Sequence, residues 1–151
     1  FMLLAPAIRL DEAAAQFGNG RADGFRLFTM NDDLERANHL DDNFFGTIYH
    51  RSLLYLISGV LERGQLKRYP DAPLLGLQRH LKPVYGPTNA ERSALTAMGT
   101  VFAAAPDRVV YSPSASAAQG RTTTSEVHGG FWRDPKTLES IRWIAMNGYS
   151  A

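Results

Sequence analysis

The chain opens on an unbroken apolar run, Phe1-Met2-Leu3-Leu4-Ala5-Pro6-Ala7-Ile8. No other feature constrains the fold as strongly. A strand with one wet face alternates apolar and polar residues, whereas a strand covered on both faces reads as continuous hydrophobe. The run therefore predicts a strand of a parallel sheet, and such a strand needs neighbours. It is not a signal peptide, because it has neither a basic leader nor a long enough apolar stretch. It also suggests a piece of a longer protein, with further strands coming from a missing N-terminal segment or a second chain.

The periodicity downstream alternates helix and strand. Asp11 can cap a short helix reaching Gln16 or Phe17. Gly18, Gly20 and Gly24 then break the pattern, and Phe25 to Met30 reads as a second strand. Asn31 to Phe45 is polar, acidic and irregular. Tyr49, Leu53, Leu56, Ile57, Val60 and Leu61 share one helical face, which predicts a helix from Tyr49 to Glu62, ended near Gly64. A long connection rich in proline and glycine follows, with one helical turn near Leu74 to His80. The stretch Leu74 to Val84 is also a place where a further strand could lie.

Thr88-Asn89-Ala90-Glu91 reads as a capping box before a helix to about Ala105. Arg108 to Ser112 is a third strand. Ser114 to Ser125 is a loop, and Asp134-Pro135 supplies an N-cap and first helical residue for a last helix that buries Leu138, Ile141 and Ile144. Alternation of this kind predicts an α/β fold, a parallel sheet flanked by helices.

Composition narrows the function. The 151 residues suit a single domain, and a net charge of +1 argues against a dedicated nucleic-acid or membrane surface. No apolar run approaches the roughly 18 residues of a membrane span. Cysteine is absent. That removes thiolate metal sites and cysteine nucleophiles, and it leans the localisation toward the cytoplasm.

Ligands of open parallel sheets collect beyond the carboxyl ends of the strands. Asp32 follows the second strand and His128 follows the third across a longer loop, so both are expected on that rim. An imidazole exchanges protons near neutral pH, and a strand-end carboxylate can fix its tautomer. The competing readings are a loop histidine for His128 and turn chemistry for Asn31-Asp32-Asp33.

Asp32, Asp33, Glu35, His39, Asp41 and Asp42 form an acidic cluster whose spacing fits no metal motif, so a solvated loop is the reading and no metal or other cofactor is expected. His50 is expected to pack or cap at a helix start, and His80 to be exposed. Ser112, Ser114, Ser116 and Ser125 read as loop formers. Gly18-Asn19-Gly20 is too short for a phosphate-binding loop.

Three stretches resemble the C-terminal half of an α/β-hydrolase. "FMLLAPAI" resembles a late buried strand, and "FRLFTMNDDLE" resembles the strand that delivers the acid. "RVVYSPSASAAQGRTTTSEVHGGF" with "DPKTLESIRWI" resembles the last strand, the histidine loop and the closing helix. "YHRSLLYLISGVLE" is similar to uncharacterised bacterial members of that superfamily. The resemblance implies a partial hydrolase-like fold with His128 as base, Asp32 as triad acid and Asp33 as the alternative acid, in the family order of serine, acid, histidine.

It implies an esterase- or amidase-like acyl transfer on a small-molecule or acyl substrate. No nucleophile elbow occurs in the sequence, so the serine would lie on a segment outside it. Asp32 and His128 stand 96 residues apart (128 − 32), and the excess, residues 46–87, reads as a helical cap or lid. Two other functions compete: a non-catalytic ligand- or protein-binding module on a hydrolase-like scaffold, and a metal-assisted hydrolase using the acidic loop.

Overall fold

The computed structural model describes residues 2–17, 24–38, 52–61, 72–81, 89–104, 106–115 and 117–149. Three strands pair in parallel in the order β1 (Met2–Leu4), β2 (Arg26–Met30), β3 (Val109–Ser112). The register sets Leu3 beside Leu27, and Phe28 beside Val110. The α/β class with a parallel sheet expected from the sequence is therefore present.

Period-two alternation divides the strand residues between two helical layers. On one face Leu3, Leu27 and Val109 pack with α1 (Leu10–Phe17) and α4 (Asn89–Ala104), through Leu10, Ala13, Met98 and Val101. On the other face Met2, Leu4, Phe28, Met30 and Val110 pack with α5 (Pro135–Asn147), through Ile141 and Ile144. Every residue of β2 is buried. Phe25, just before β2, stacks on both Phe17 and Phe102 and so links α1 to α4.

The N-terminus of α5 follows the expected chemistry. Asp134 is the N-cap and accepts from the Thr137 amide at 2.9 Å, with Pro135 in the first turn, where its missing N–H costs nothing. Four expectations are corrected. Leu138, expected on the buried face of α5, is 45% exposed. Residues 32–37 are not irregular but form α2 (Asp32–Ala37), because Asn31 Oδ1 accepts the Leu34 amide at 2.8 Å and supplies a cap. The helix expected from Tyr49 to Glu62 is regular only in α3 (Leu53–Leu56) and continues through Ile57–Leu61 as a wider π-helical turn; its first residues and Glu62 lie outside the described residues. His80 is completely buried rather than exposed, and its Nδ1 accepts the Leu74 amide at 3.0 Å. The Thr88 cap, His39, Asp41, Asp42, His50, Ser116 and the Gly18 to Gly20 turn also lie outside the described residues.

Residues 72–81, within the 46–87 stretch, are part of the core. Leu74, Leu75 and Leu77 are wholly buried, Leu74 bridges Arg9, and the Thr29 hydroxyl donates to the Gly76 carbonyl at 2.5 Å. A short 3-10 turn, Gln78–Leu81, ends the segment. Gly76 is where this segment passes closest to the chain leaving β1: a Cβ there would run into the Pro6 carbonyl oxygen. Backbone cannot yield as a side chain can, so Gly76→Ala is expected to lower unfolding stability by about 2 kcal/mol or more, measured by urea denaturation. An unchanged midpoint would show that the close approach relaxes freely.

Candidate functional site

Both rim residues lie where the strands end. The Asn31 amide donates to the Ser112 carbonyl at 3.1 Å, which joins the ends of β2 and β3. From there β2 turns directly into α2, so Asp32 sits in the first helical turn, where a carboxylate is favoured by the exposed amides.

The surroundings of Asp32 come from residues 52–81. Its Oδ1 accepts from the Tyr55 hydroxyl at 2.7 Å, its Oδ2 pairs with Arg36 at 3.0 Å, and its amide donates to Gln78 Oε1 at 2.8 Å. The Arg79 guanidinium lies over the Tyr55 ring, 4.2 Å from its centroid. Asp33 is the next residue of α2 and is exposed.

His128 opens a short 3-10 turn, His128–Gly130, after the loop that leaves β3. That loop is tied down at each step. Ser112 Oγ donates to the Ser125 carbonyl at 2.6 Å, Ser125 Oγ donates to the Val127 carbonyl at 2.9 Å, and the Asn38 amide group donates to the Glu126 carbonyl at 3.1 Å. Ser114 Oγ accepts from the Thr123 amide at 3.0 Å. The serines near β3 are therefore loop ties.

The anchor with the most donors is Asp134. Burial opposes its ionisation, but the amides and hydroxyls of Thr124 and Thr137 all donate to it and bring its carboxyl down to about 2. One side chain thereby caps α5 and fixes the strand-to-histidine loop.

His128 is half-buried, and its Nδ1 is buried with no hydrogen-bond partner. Burial lowers its pKa below the ordinary imidazole value, so the ring is neutral at neutral pH. Asp32 and His128 are not hydrogen-bonded to each other: the carboxylate is held by Tyr55 and Arg36, while Nδ1 bonds nothing. Among the described residues no three of His, Cys, Asp or Glu gather as a metal group would require.

The sequence placed Glu35 in an acidic cluster expected to be a solvated loop, and the structure corrects that expectation. Glu35 is fully buried on α2, one turn beyond Asp32, and neither carboxyl oxygen has a hydrogen bond of acceptable geometry. Burial pushes its pKa up to about 7; the Ser52 hydroxyl beside it opposes the rise, and the Asp32 charge adds to it. Nothing local marks it out, since its neighbours Asp32, Asp33 and Arg36 all read as a solvated face. The burial comes from the chain around Ser52, whose amide donates to the Glu35 carbonyl.

No family model, curated protein or solved structure matches this chain.

The protonation of Glu35 sets a pH dependence of known sign. Its folded pKa, about 7, lies above its ordinary 4.5, so the folded chain holds this proton more tightly than the unfolded chain. The resulting stability is complete at low pH, falls as pH rises from about 4.5 toward 7 and then levels off. Glu35→Gln removes this dependence and is expected to be more stable than the parent by about 2–3 kcal/mol at pH 8, with no advantage at pH 4. Denaturant titrations of both proteins across that range check it. Their difference cancels the opposite dependence of His80, which burial and Arg79 hold down to about 3. A difference that does not change with pH would refute an ionising, unpaired Glu35.

Proposed function

We propose that this chain supplies the acid and histidine of a serine hydrolase of the α/β-hydrolase type, cleaving an ester or amide. The reading is carried by His128, a neutral imidazole with an unpaired ring nitrogen, held by an anchored loop at the carboxyl rim of a parallel sheet. A strand-end carboxylate on the same rim supports it. The nucleophilic serine and the oxyanion hole belong to a segment outside this sequence.

In the acylation step His128 takes the serine proton as the hydroxyl oxygen attacks the carbonyl carbon, then returns it to the departing alcohol or amine. In the second step it takes a proton from the water that attacks the acyl-enzyme, then returns that proton to the serine oxygen as the acid departs. Asp32 is the proposed orienting carboxylate and Asp33 the alternative. The two oxygens of Asp32 each hold one partner at present, Tyr55 on Oδ1 and Arg36 on Oδ2, and each keeps a lone pair that an imidazole N–H could use. Within the 46–87 stretch residues 72–81 belong to the core, so a cap over the site is proposed only for the remainder of that stretch. No helix among the described residues is long and apolar enough to cross a membrane, and a cytoplasmic location is part of this proposal.

A second reading is a non-catalytic binding module on the same scaffold. It is favoured by one observation, the commitment of the Asp32 carboxylate to Tyr55 and Arg36.

The full-length protein is expected to react with a fluorophosphonate probe. His128→Ala should cut kcat/KM for a nitrophenyl ester at least about a thousandfold, and Asp32→Asn should cut it strongly, with Tm little changed. Normal turnover in both variants would end the hydrolase reading, and absence of probe labelling would favour the binding module.

A further inference from the structure

Beside β3, on the side away from β2, lies a cavity of about 310 Å³ that the rim chemistry does not use. Its size is at the lower end of small-molecule pockets, which start near 300 Å³. Val110, Tyr111, Pro113 and Ala115 give it an apolar wall, and Asp107 and Arg121 line it as well. Among the described residues β3 is an edge strand, so this wall is not covered by another strand.

The polar part of the cavity is electrostatically unbalanced. Asp107 pairs with Arg121 at 2.8 Å and with Arg26 at 3.6 Å; of the two guanidiniums only Arg121 lines the cavity, and among the described residues this group of one carboxylate and two guanidiniums carries a formal charge of +1. Arg26 is fully buried and fixed, donating to the carbonyls of Gly120 at 3.0 Å and Tyr149 at 3.2 Å. These bonds also hold the turn that carries Arg121, whose amide donates to Ala118. Arg121 is about one-third exposed, and Asp107 is the sole side-chain partner of its guanidinium among the described residues. Its remaining N–H donors are therefore available, on a backbone that does not need to reorganise.

We propose that this cavity binds a small amphipathic anion, an aryl- or alkyl-carboxylate. Its carboxylate takes the free donors of Arg121 and neutralises the surplus charge, and its apolar body lies against Val110, Tyr111 and Ala115. Neither Asp32 nor His128 lines the cavity, and the proposal does not depend on the hydrolase reading.

The test is a heteronuclear NMR titration of the full-length protein with phenylbutyrate, phenylbutanol and butyrate. Phenylbutyrate is expected to bind with a Kd of about 1 mM or tighter, with shifts concentrated at Val109 to Tyr111, Ser114 and Arg121. Phenylbutanol, lacking the charge, and butyrate, lacking the aryl body, should each bind at least about tenfold more weakly. Arg121→Gln should weaken phenylbutyrate by a similar factor while leaving phenylbutanol unchanged. Ala115→Phe, at an exposed position, fills the cavity without touching the ion group and should weaken both aryl ligands. Equal binding of the acid and the alcohol, equal binding of butyrate, shifts centred elsewhere, or no binding at all would each overturn the proposal.

Discussion

Because β2 is buried along its whole length, each of its side chains must be met by another part of the chain. Apolar residues are met by helices: Leu27 by α1 and α4, Phe28 and Met30 by α5. The polar ones are more demanding, since a buried hydroxyl or guanidinium without a partner costs about 1–3 kcal/mol or more. Thr29 finds the Gly76 carbonyl, and Arg26 finds Gly120, Tyr149 and Asp107. Those two residues therefore fix where residues 72–81 and the C-terminal turns must lie. The strand specifies much of the tertiary structure through its exceptions to hydrophobicity.

The rim inherits this arrangement. Its acidic end is held by side chains from residues 52–81, through Tyr55, Arg36 on α2 itself, and Gln78. Its histidine end is held by the threonine–aspartate network at the start of α5. Acid and imidazole thus have different anchors, and the Asn38 bond to the Glu126 carbonyl ties the end of α2 to the histidine loop.

The parts of this structure legible in the sequence are those decided by local chemistry. Continuous or β-branched runs marked the three strands, Asp134-Pro135 marked the start of α5, and helical periodicity marked α4. Glu35 and His80 were not legible, because their burial depends on chain that arrives from residues 52–81. A carboxylate among Asp33, Leu34 and Arg36 looks solvated until Ser52 packs beside it. A histidine between two basic residues looks exposed until Leu74 donates to its ring. α2 was missed for a different reason: Asn-Asp-Asp is equally good turn and cap chemistry, and only the Asn31 to Leu34 bond decides between them. At the candidate site, the present partners of Asp32, Tyr55 and Gln78 among them, were not legible.

Those partners are unequal. Arg36 is largely exposed, so water screens its pairing with Asp32 and the pair contributes little to holding the carboxylate in place. The Tyr55 hydroxyl is different: its ring is buried, Arg79 covers one face, and its hydrogen bond to Asp32 is short. A neutral hydrogen-bond donor is worth about 1 kcal/mol net, and more when its partner is charged. The buried, unpaired Nδ1 of His128 carries a desolvation cost of the same order. Moving a carboxylate from the phenol to the imidazole would therefore exchange two similar energies, and it would also raise the imidazole pKa by placing an opposite charge beside it. What commits Asp32 to its present geometry is Tyr55, so the phenol rather than the arginine decides whether this rim holds a joined acid and base or two separate groups.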